Sequence, residues 1–580
     1  MKKQTILGLT KNYRIDSFFS IFFVLIEIAC VIFIPKLTQW LIDFGIKEQN
    51  TNNIYLYSGI ILILGIVSLT SGMLSGFFAS RATAGLGKNI RYAMFEKISN
   101  YSFENYDKYS KGSLIVRLTN DITNVQNAYM MSIRALIRAP FLMTGAIIMA
   151  FTTNFMLAWI LVAAVVILSI IVGIIMLIAF PRFYKMLRSY DEINNKIKEN
   201  ISGIRTIKTF VTENKEIQEF KEKTEKVRKL GIAAEKLVAL NSPLMLGTVF
   251  ISLFSIMLVS ANLIGKYHDV SSISTGTITA FVNYMFQVLI SLMIASMVLV
   301  TITIAQASIK RIKEILNEVP SIQNPKNPIY EINNSTIEFE NVNFMYKNNK
   351  RNTLKKINLT ILPKQTIGII GSTGSGKSTL VNLLPRLYDV TEGELKIGGI
   401  NVKDYDLKTL RESIAIVLQK NILFSGTIRE NIRWGKENAT DEEIIEALKK
   451  ASAYDFVFDK NGLDTVVEEG GANFSGGQKQ RLSIARALIK KPEILILDDS
   501  TSAVDNKTDA KIRDALNNEL KDTTKIIIAQ RVSSIENADR IIILENGRVT
   551  AFDNHKNLLA TNEFYKNLYE AQLKDKDEIE

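Results

Sequence analysis

Between positions 371 and 378 the chain reads Gly-Ser-Thr-Gly-Ser-Gly-Lys-Ser, the G-x-x-x-x-G-K-[ST] spacing of a phosphate-binding loop. Glycines let the backbone turn so that successive N–H groups converge on phosphate oxygens at a helix N-terminus. On this spacing Gly371, Ser372, Thr373, Gly374, Ser375 and Gly376 form the cradle, Lys377 adds a charge on the β/γ-phosphates, and Ser378, followed by Thr379, offers an oxygen to Mg²⁺. The loop follows a predicted strand, Thr366–Ile370, and precedes a helical pattern over Thr379–Leu384. A second apolar run, Ile494-Leu495-Ile496-Leu497, ends in Asp498, where a carboxylate can hold Mg²⁺ through water. Between them lies Asn473-Phe474-Ser475-Gly476-Gly477-Gln478, a Gly-rich turn followed by Lys479 and Arg481. Alone, that turn reads as a plain helix start.

These residues need a domain to position them, and the chain supplies one only in its second part. From Arg311 the composition changes; residues 317–335 contain Pro320, Pro325, Pro328 and several Asn, a linker composition. Beyond it, short β-rich runs alternate with helical patterns, which predicts an α/β P-loop ATPase domain over 336–580 with a largely parallel sheet.

The first part is of another kind. In 580 residues the hydrophobic fraction is an ordinary 47%, yet mean hydropathy is +0.12 and charged residues are only 22%, so apolar residues are concentrated in places. Segments near 17–42, 55–80, 129–152, 155–180, 241–264 and 276–307 each suffice to cross about 30 Å of hydrocarbon. They predict an α-helical polytopic domain over 1–316: six transmembrane helices with long cytoplasmic extensions. The run Phe18–Ile34 lacks a small-residue cleavage site and continues into Pro35-Lys36-Leu37, so it is read as a span, not a signal peptide. Basic residues crowd 81–117 and 181–238, which puts those stretches and both termini in the cytoplasm of a multi-pass cell-membrane protein. One cysteine, Cys30, and two histidines, His268 and His555, exclude a disulfide framework and a Cys- or His-rich zinc site. The net charge of +12 belongs to the cytoplasmic loops, not to nucleic-acid binding. Glu27 lies inside the first span, either as a substrate or proton contact or as half of a structural pair.

Taken together, these motifs resemble the ATP-binding cassette (ABC) exporters over nearly the whole chain. Ser-Gly-Gly-Gln at 475–478 is similar to the ABC signature, with Phe474 where Leu is usual. Gln419, after the strand Ile414–Leu418, resembles the Q-loop glutamine, which the family places at the metal and the attacking water. Tyr346 resembles the adenine-stacking aromatic, and Ser502-Ala503-Val504-Asp505 resembles the D-loop. In the membrane half, Lys111-Gly112-Ser113-Leu114 through Arg117-Leu118-Thr119-Asn120-Asp121, and Ser202-Gly203-Ile204-Arg205, resemble the intracellular extensions. The resemblance implies ATP and Mg²⁺ as ligands, membrane lipid as surroundings, a small amphipathic substrate such as a drug, lipid or peptide, and coupling through the segments near Phe103–Tyr109 and Thr209–Glu213. Nothing peptidase-like precedes the first span, which argues against leader-peptide processing.

Two departures carry a sharper expectation. Where the family has the water-polarising Glu, this chain has Asp499, one methylene shorter; where it has the switch histidine, this chain has Gln530, which cannot become a cation. Neither His268 nor His555 is placed to substitute. In the family two nucleotide domains pair head to tail, so each site combines one chain's P-loop with the other's signature. The departures therefore imply a degenerate site on this chain and a heterodimer whose partner half-transporter has Glu and His intact. Drift without consequence, a slow homodimeric exporter and an ATP-gated, channel-like or regulatory membrane protein are the competing readings.

Overall fold

The computed structural model describes residues 5–267, 273–347, 349–499 and 506–577. His268 and the Ser502–Asp505 motif lie outside them. The chain divides into two compact units, Met1–Ser99 with Ser110–Glu318, and Asn100–Tyr109 with Val319–Glu580.

Among its described residues the first unit contains six helical segments long and apolar enough to span a membrane: Gly8–Ile46, Thr51–Ser99, Lys111–Thr153, Phe155–Ser202, Glu213–Asn262 and Thr275–Asn317. At 1.5 Å per residue the second of these is about 73 Å long, more than twice the hydrocarbon thickness, so each apolar stretch continues into an extension. The third is the least regular. It carries a π-helical turn at Arg117–Asp121 and a break at Arg134, whose φ of −116° and ψ of −68° interrupt the helix. The hairpin between the third and fourth spans is closed by Asn154, whose side chain accepts from the amides of Met156 and Leu157 at 3.1 Å each and so satisfies orphan N–H groups at the helix start. Apolar packing of Ala146, Ala150, Leu157, Phe281 and Tyr284 fixes spans three, four and six against one another. Toward the cytoplasm, the buried Asp121 carboxylate accepts from the Ser308 hydroxyl at 2.8 Å and from Arg311 Nε at 2.7 Å, joining the third span to the sixth. The turn at 209–213 leaves Phe210 and Val211 exposed.

Among its described residues the second unit holds twelve strands: β1 (Ile337–Phe344), β2 (Leu354–Ile361), β3 (Thr366–Ile370), β4 (Glu392–Ile397), β5 (Ile400–Asn401), β6 (Ile414–Val417), β7 (Gly426–Thr427), β8 (Val466–Val467), β9 (Ile494–Asp498), β10 (Thr524–Ile528), β11 (Arg540–Glu545) and β12 (Arg548–Asp553). The main sheet has the order β12-β11-β3-β10-β9-β6 and is parallel except for β12. Buried on both faces, β3 and β9 read as continuous apolar runs. A separate antiparallel sheet, β2-β1-β4-β5, packs Ile337, Phe339, Ile357 and Leu395 into the same core as β3 and β9. The main sheet is thus largely parallel, as the sequence predicts, and this second, antiparallel sheet is added to it. Its strands alternate buried and exposed positions, and in the sequence that alternation is easily lost between turns.

Of residues 317–335, expected as a linker, the part from Val319 onward belongs to this unit. Ile322 is buried, and Ile329 bridges to Tyr405. The short helix Phe103–Lys108 also belongs here: Ser102 Oγ accepts from the Ile322 amide at 2.9 Å, Asn105 Nδ2 donates to the Val319 carbonyl at 3.1 Å, and Glu104 pairs with Lys347 at 2.9 Å.

Candidate nucleotide site

The loop after β3 adopts its shape because its glycines take conformations that a side chain resists. Gly376 has φ +103°, and an added Cβ would lie 2.9 Å from Leu354 Cδ2; at Gly371 it would lie 2.0 Å from the Leu544 carbonyl oxygen. The helix Lys377–Asn382 starts directly from this turn. Lys377 Nζ donates to the carbonyls of Gly371 (2.7 Å) and Ser372 (2.9 Å), so it folds over the mouth of its own loop. Burial pulls the Lys377 ammonium below its usual range, against the pull of Asp498 and Asp499. Ser375 Oγ is buried and has no hydrogen-bond partner among the described residues, an orphaned polar atom facing the inside of the loop.

At the end of β9, Asp498 is buried and hydrogen-bonded by the Ser378 hydroxyl. Burial pushes its carboxyl above the usual range and the neighbouring Asp499 charge adds to this, while Ser378 and Lys377 oppose it. A buried carboxylate beside a serine hydroxyl at a phosphate loop is a donor set suited to Mg²⁺ with phosphate oxygens and water as further ligands. Among the described residues no cluster of three or more His, Cys, Asp or Glu offers a metal site.

Asp499 takes a left-handed φ of +48° and is itself buried. One of its carboxylate oxygens, Oδ2, accepts from Gln530 Nε2 at 2.8 Å and from Gln419 Nε2 at 3.3 Å. The backbone is held too: the Asp499 amide donates to the Ile528 carbonyl, and Gln480 Nε2 donates to the Asp499 carbonyl at 3.2 Å. The three residues singled out for hydrolysis therefore meet in one place.

Tyr346 stands edge-on to Phe344 and Tyr388, with centroids 4.8 and 5.2 Å away, and its hydroxyl is 3.1 Å from Thr379 Oγ1. Tyr388 donates to Asp107 Oδ2 at 2.9 Å and packs near Phe103. Burial raises its phenol pKa, and the Asp107 charge adds to that.

Ser475 caps the helix Gly476–Leu488 in a reciprocal arrangement: Gln478 N donates to Ser475 Oγ at 3.3 Å and Ser475 N to Gln478 Oε1 at 3.0 Å. Ser475 and Gly476 are exposed, whereas Phe474 is buried against Phe456, with Lys460 over its ring. The residue that replaces the usual Leu thus points into the domain.

Sequence reasoning passed over Gln480, Gln572 and Tyr388. Gln480 was findable, since it lies on the helix that the signature opens. Gln572 was not: it comes from the C-terminal helix Glu563–Asp577, donates to the Gln530 carbonyl at 2.9 Å and accepts from the Val532 amide at 2.8 Å.

Comparison with known proteins agrees with this geometry. Residues 17–313 match the family described as the ABC transporter transmembrane region, and residues 354–502 match the ABC transporter family. An uncharacterized ABC transporter ATP-binding protein of Bacillus subtilis, YfiB, is 34% identical over 572 residues, 98% of each chain. An ATP-dependent lipid A-core flippase of Syntrophus aciditrophicus is 33% identical, over 89% of this chain and 84% of its own length. A bacterial Atm1-family ABC exporter with ATP bound has the same fold, with a TM-score of 0.81 at 23% identity, covering 96% of this chain and 98% of its own. The chain belongs to the ABC transporter family: it is a multi-pass membrane half-transporter of exporter fold, whose six-helix domain is fused to a cytoplasmic ABC ATPase domain.

Proposed function

We propose that this ABC half-transporter exports amphipathic molecules and pairs with a different half-transporter. On this reading its own nucleotide site binds ATP well and hydrolyses it slowly. The observation that carries the reading is the amide clamp on Asp499. A base that orients an attacking water must reach to within about 2.6–3.2 Å of it. Here the side chain is one methylene short of Glu, and the oxygen Oδ2 already accepts from Gln530 and Gln419. Gln530 in turn gives no positive charge to a developing γ-phosphate anion, which lowers the electrostatic contribution expected of that position.

Binding is another matter, because it rests on parts that depart from no pattern. The N–H groups of Ser372–Gly376 would face the phosphates, Lys377 would leave its two carbonyls for the β/γ-phosphates, and Tyr346 would cover the adenine. Ser378 and Asp498 would hold Mg²⁺, with Gln419 beside it. Bound there, the cation would neutralise phosphate charge and relieve the buried Asp498 carboxylate. Closure of the two ATPase domains on ATP would reorient the membrane helices and release substrate outward. The similarity to a lipid A-core flippase favours lipid-like substrates.

Photolabelling tests the reading. With radiolabelled 8-azido-ATP under turnover, this chain should retain mainly triphosphate while its partner carries diphosphate. Diphosphate on both chains at the same rate would remove the asymmetry.

A further inference from the structure

The segment that carries Gln530 is held from behind. It leaves the main sheet at Ala529, whose amide donates to the Ile369 carbonyl at 3.2 Å. Its next two polar groups are taken by one side chain: Gln572 Nε2 donates to the Gln530 carbonyl at 2.9 Å, and Gln572 Oε1 accepts from the Val532 amide at 2.8 Å. A carbonyl at one residue and an amide two residues on are the groups that a parallel neighbouring strand would bond, so the Gln572 amide stands in for a strand where the sheet has stopped. A primary amide supplies both the donor and the acceptor this needs; a carboxylate lacks the donor and an alkyl side chain lacks both.

The helix that presents Gln572, Glu563–Asp577, is fixed by its apolar face. Tyr565 is fully buried, in a cluster with Ile370, Ala529, Val532 and Leu558, and Leu568 and Tyr569 pack against it. Gln572 lies about two turns beyond Tyr565 and so on the same face. The Tyr565 amide donates to Asn562 Oδ1 at 2.9 Å, and the Tyr565 hydroxyl meets His555 Nδ1 at 2.7 Å. Ile370 directly precedes the phosphate loop, so one apolar cluster backs both that loop and the Gln530 segment. Arg513 adds a further tie by donating to the Ser533 carbonyl. In front, Gln530 Nε2 donates to Asp499 Oδ2 at 2.8 Å, and Lys377 feels the Asp499 charge. An amide in that place can turn its second N–H to the terminal phosphate of a nucleotide held by Lys377.

We propose that Gln572 is a positioning residue: by fixing the backbone at 530–532 it holds the Gln530 amide within reach of the terminal phosphate, and so sets how strongly this site prefers ATP to ADP. The proposal deepens the reading above and rests on it for ATP binding at this chain's own site. Released from Gln572, the segment would spread over many conformations, and ordering it again would weaken the one contact that only a triphosphate makes. Contacts common to ATP and ADP, from the loop amides and Tyr346, would stay as they are.

The test reads the two affinities on this chain alone. The purified full-length complex is photolabelled on ice with radiolabelled 8-azido-ATP in competition with unlabelled ATP or ADP, and the two chains are separated by electrophoresis. Gln572→Leu should lower the preference for ATP over ADP by about three- to tenfold, the scale of one hydrogen bond, with ADP affinity within about twofold of the parent. Gln530→Ala should lower the preference at least as far, and adding Gln572→Leu to it should lower it no further, since both act through one contact. Gln572→Glu keeps the side-chain length and the acceptor for Val532 but not the donor, and it should lose preference as well, which guards against a folding defect peculiar to the Leu variant. Parental preference in Gln572→Leu and Gln572→Glu would overturn the proposal. So would an equal loss of ATP and ADP affinity, the mark of a purely structural prop, or a further loss in the double variant. If neither nucleotide displaces the label from this chain in the parent, the proposal falls together with the reading of an ATP-binding site; parental binding without an effect of Gln572 strikes the proposal alone.

Discussion

In the phosphate cradle, Gly371–Ser378, the groups available to a ligand are mostly backbone N–H, fixed by glycine conformations and by the strand and helix on either side. At the hydrolytic corner they are side chains, Asp499, Gln419 and Gln530, which satisfy one another. The first arrangement leaves polar capacity unspent, as the orphaned Ser375 hydroxyl shows. The second has the Asp499 oxygen Oδ2 occupied by two amides. A site can thus keep its affinity while its chemistry fades, because the two depend on different atoms.

That contrast breaks most easily on the cradle side. Lys377→Ala removes a charged contact of about 2–3 kcal/mol, so ATP trapped by this chain should fall by about 30- to 160-fold; unchanged occupancy would remove Lys377 from the site. Gly376→Ala forces a side chain onto a backbone at φ +103° and toward Leu354. It should cost about 1–3 kcal/mol, read as a lower thermal midpoint of the ATPase domain together with weaker nucleotide binding.

Smaller effects sharpen the other side. Asp107→Ala removes the acceptor of the Tyr388 hydroxyl, worth about 1 kcal/mol. It should leave ATP binding intact while transport per ATP hydrolysed falls several-fold, if the segment near Phe103–Tyr109 couples the two activities as the resemblance implies. Gln572→Leu frees the backbone around Gln530 and, on the proposed reading of a slow site with little rate to lose, should change ATPase by no more than about twofold. A large loss from Gln572→Leu would mean that Gln530 takes part in a working site.

The sequence made the cradle legible because its spacing is local: a strand, eight residues and a helix contain the whole device. The spans were equally legible as apolar stretches, and the basic stretches beside them predicted cytoplasmic extensions, but where each helix ends was not, since an amphipathic extension lacks the uniform hydropathy that marks a span. Asp499 was visible as a shorter side chain. That Gln419 and Gln530 would both close on it was not, because the three come from the ends of three different strands and meet only when β6, β9 and β10 align. The same holds for Glu27. Its position inside a span left a substrate or proton contact and a structural pair equally open, and the third span supplies the partner, Arg138.

The central claim is that this chain's signature serves a working site while its own Asp499 does not. The most direct measurement is steady-state ATPase of the purified complex carrying Asp499→Asn against the complex carrying Ser475→Arg. The account predicts less than about threefold loss for Asp499→Asn and at least about tenfold for Ser475→Arg, the scale of a lost transition-state contact. Near-total loss in Asp499→Asn with little effect from Ser475→Arg would contradict it and make Asp499 the working base.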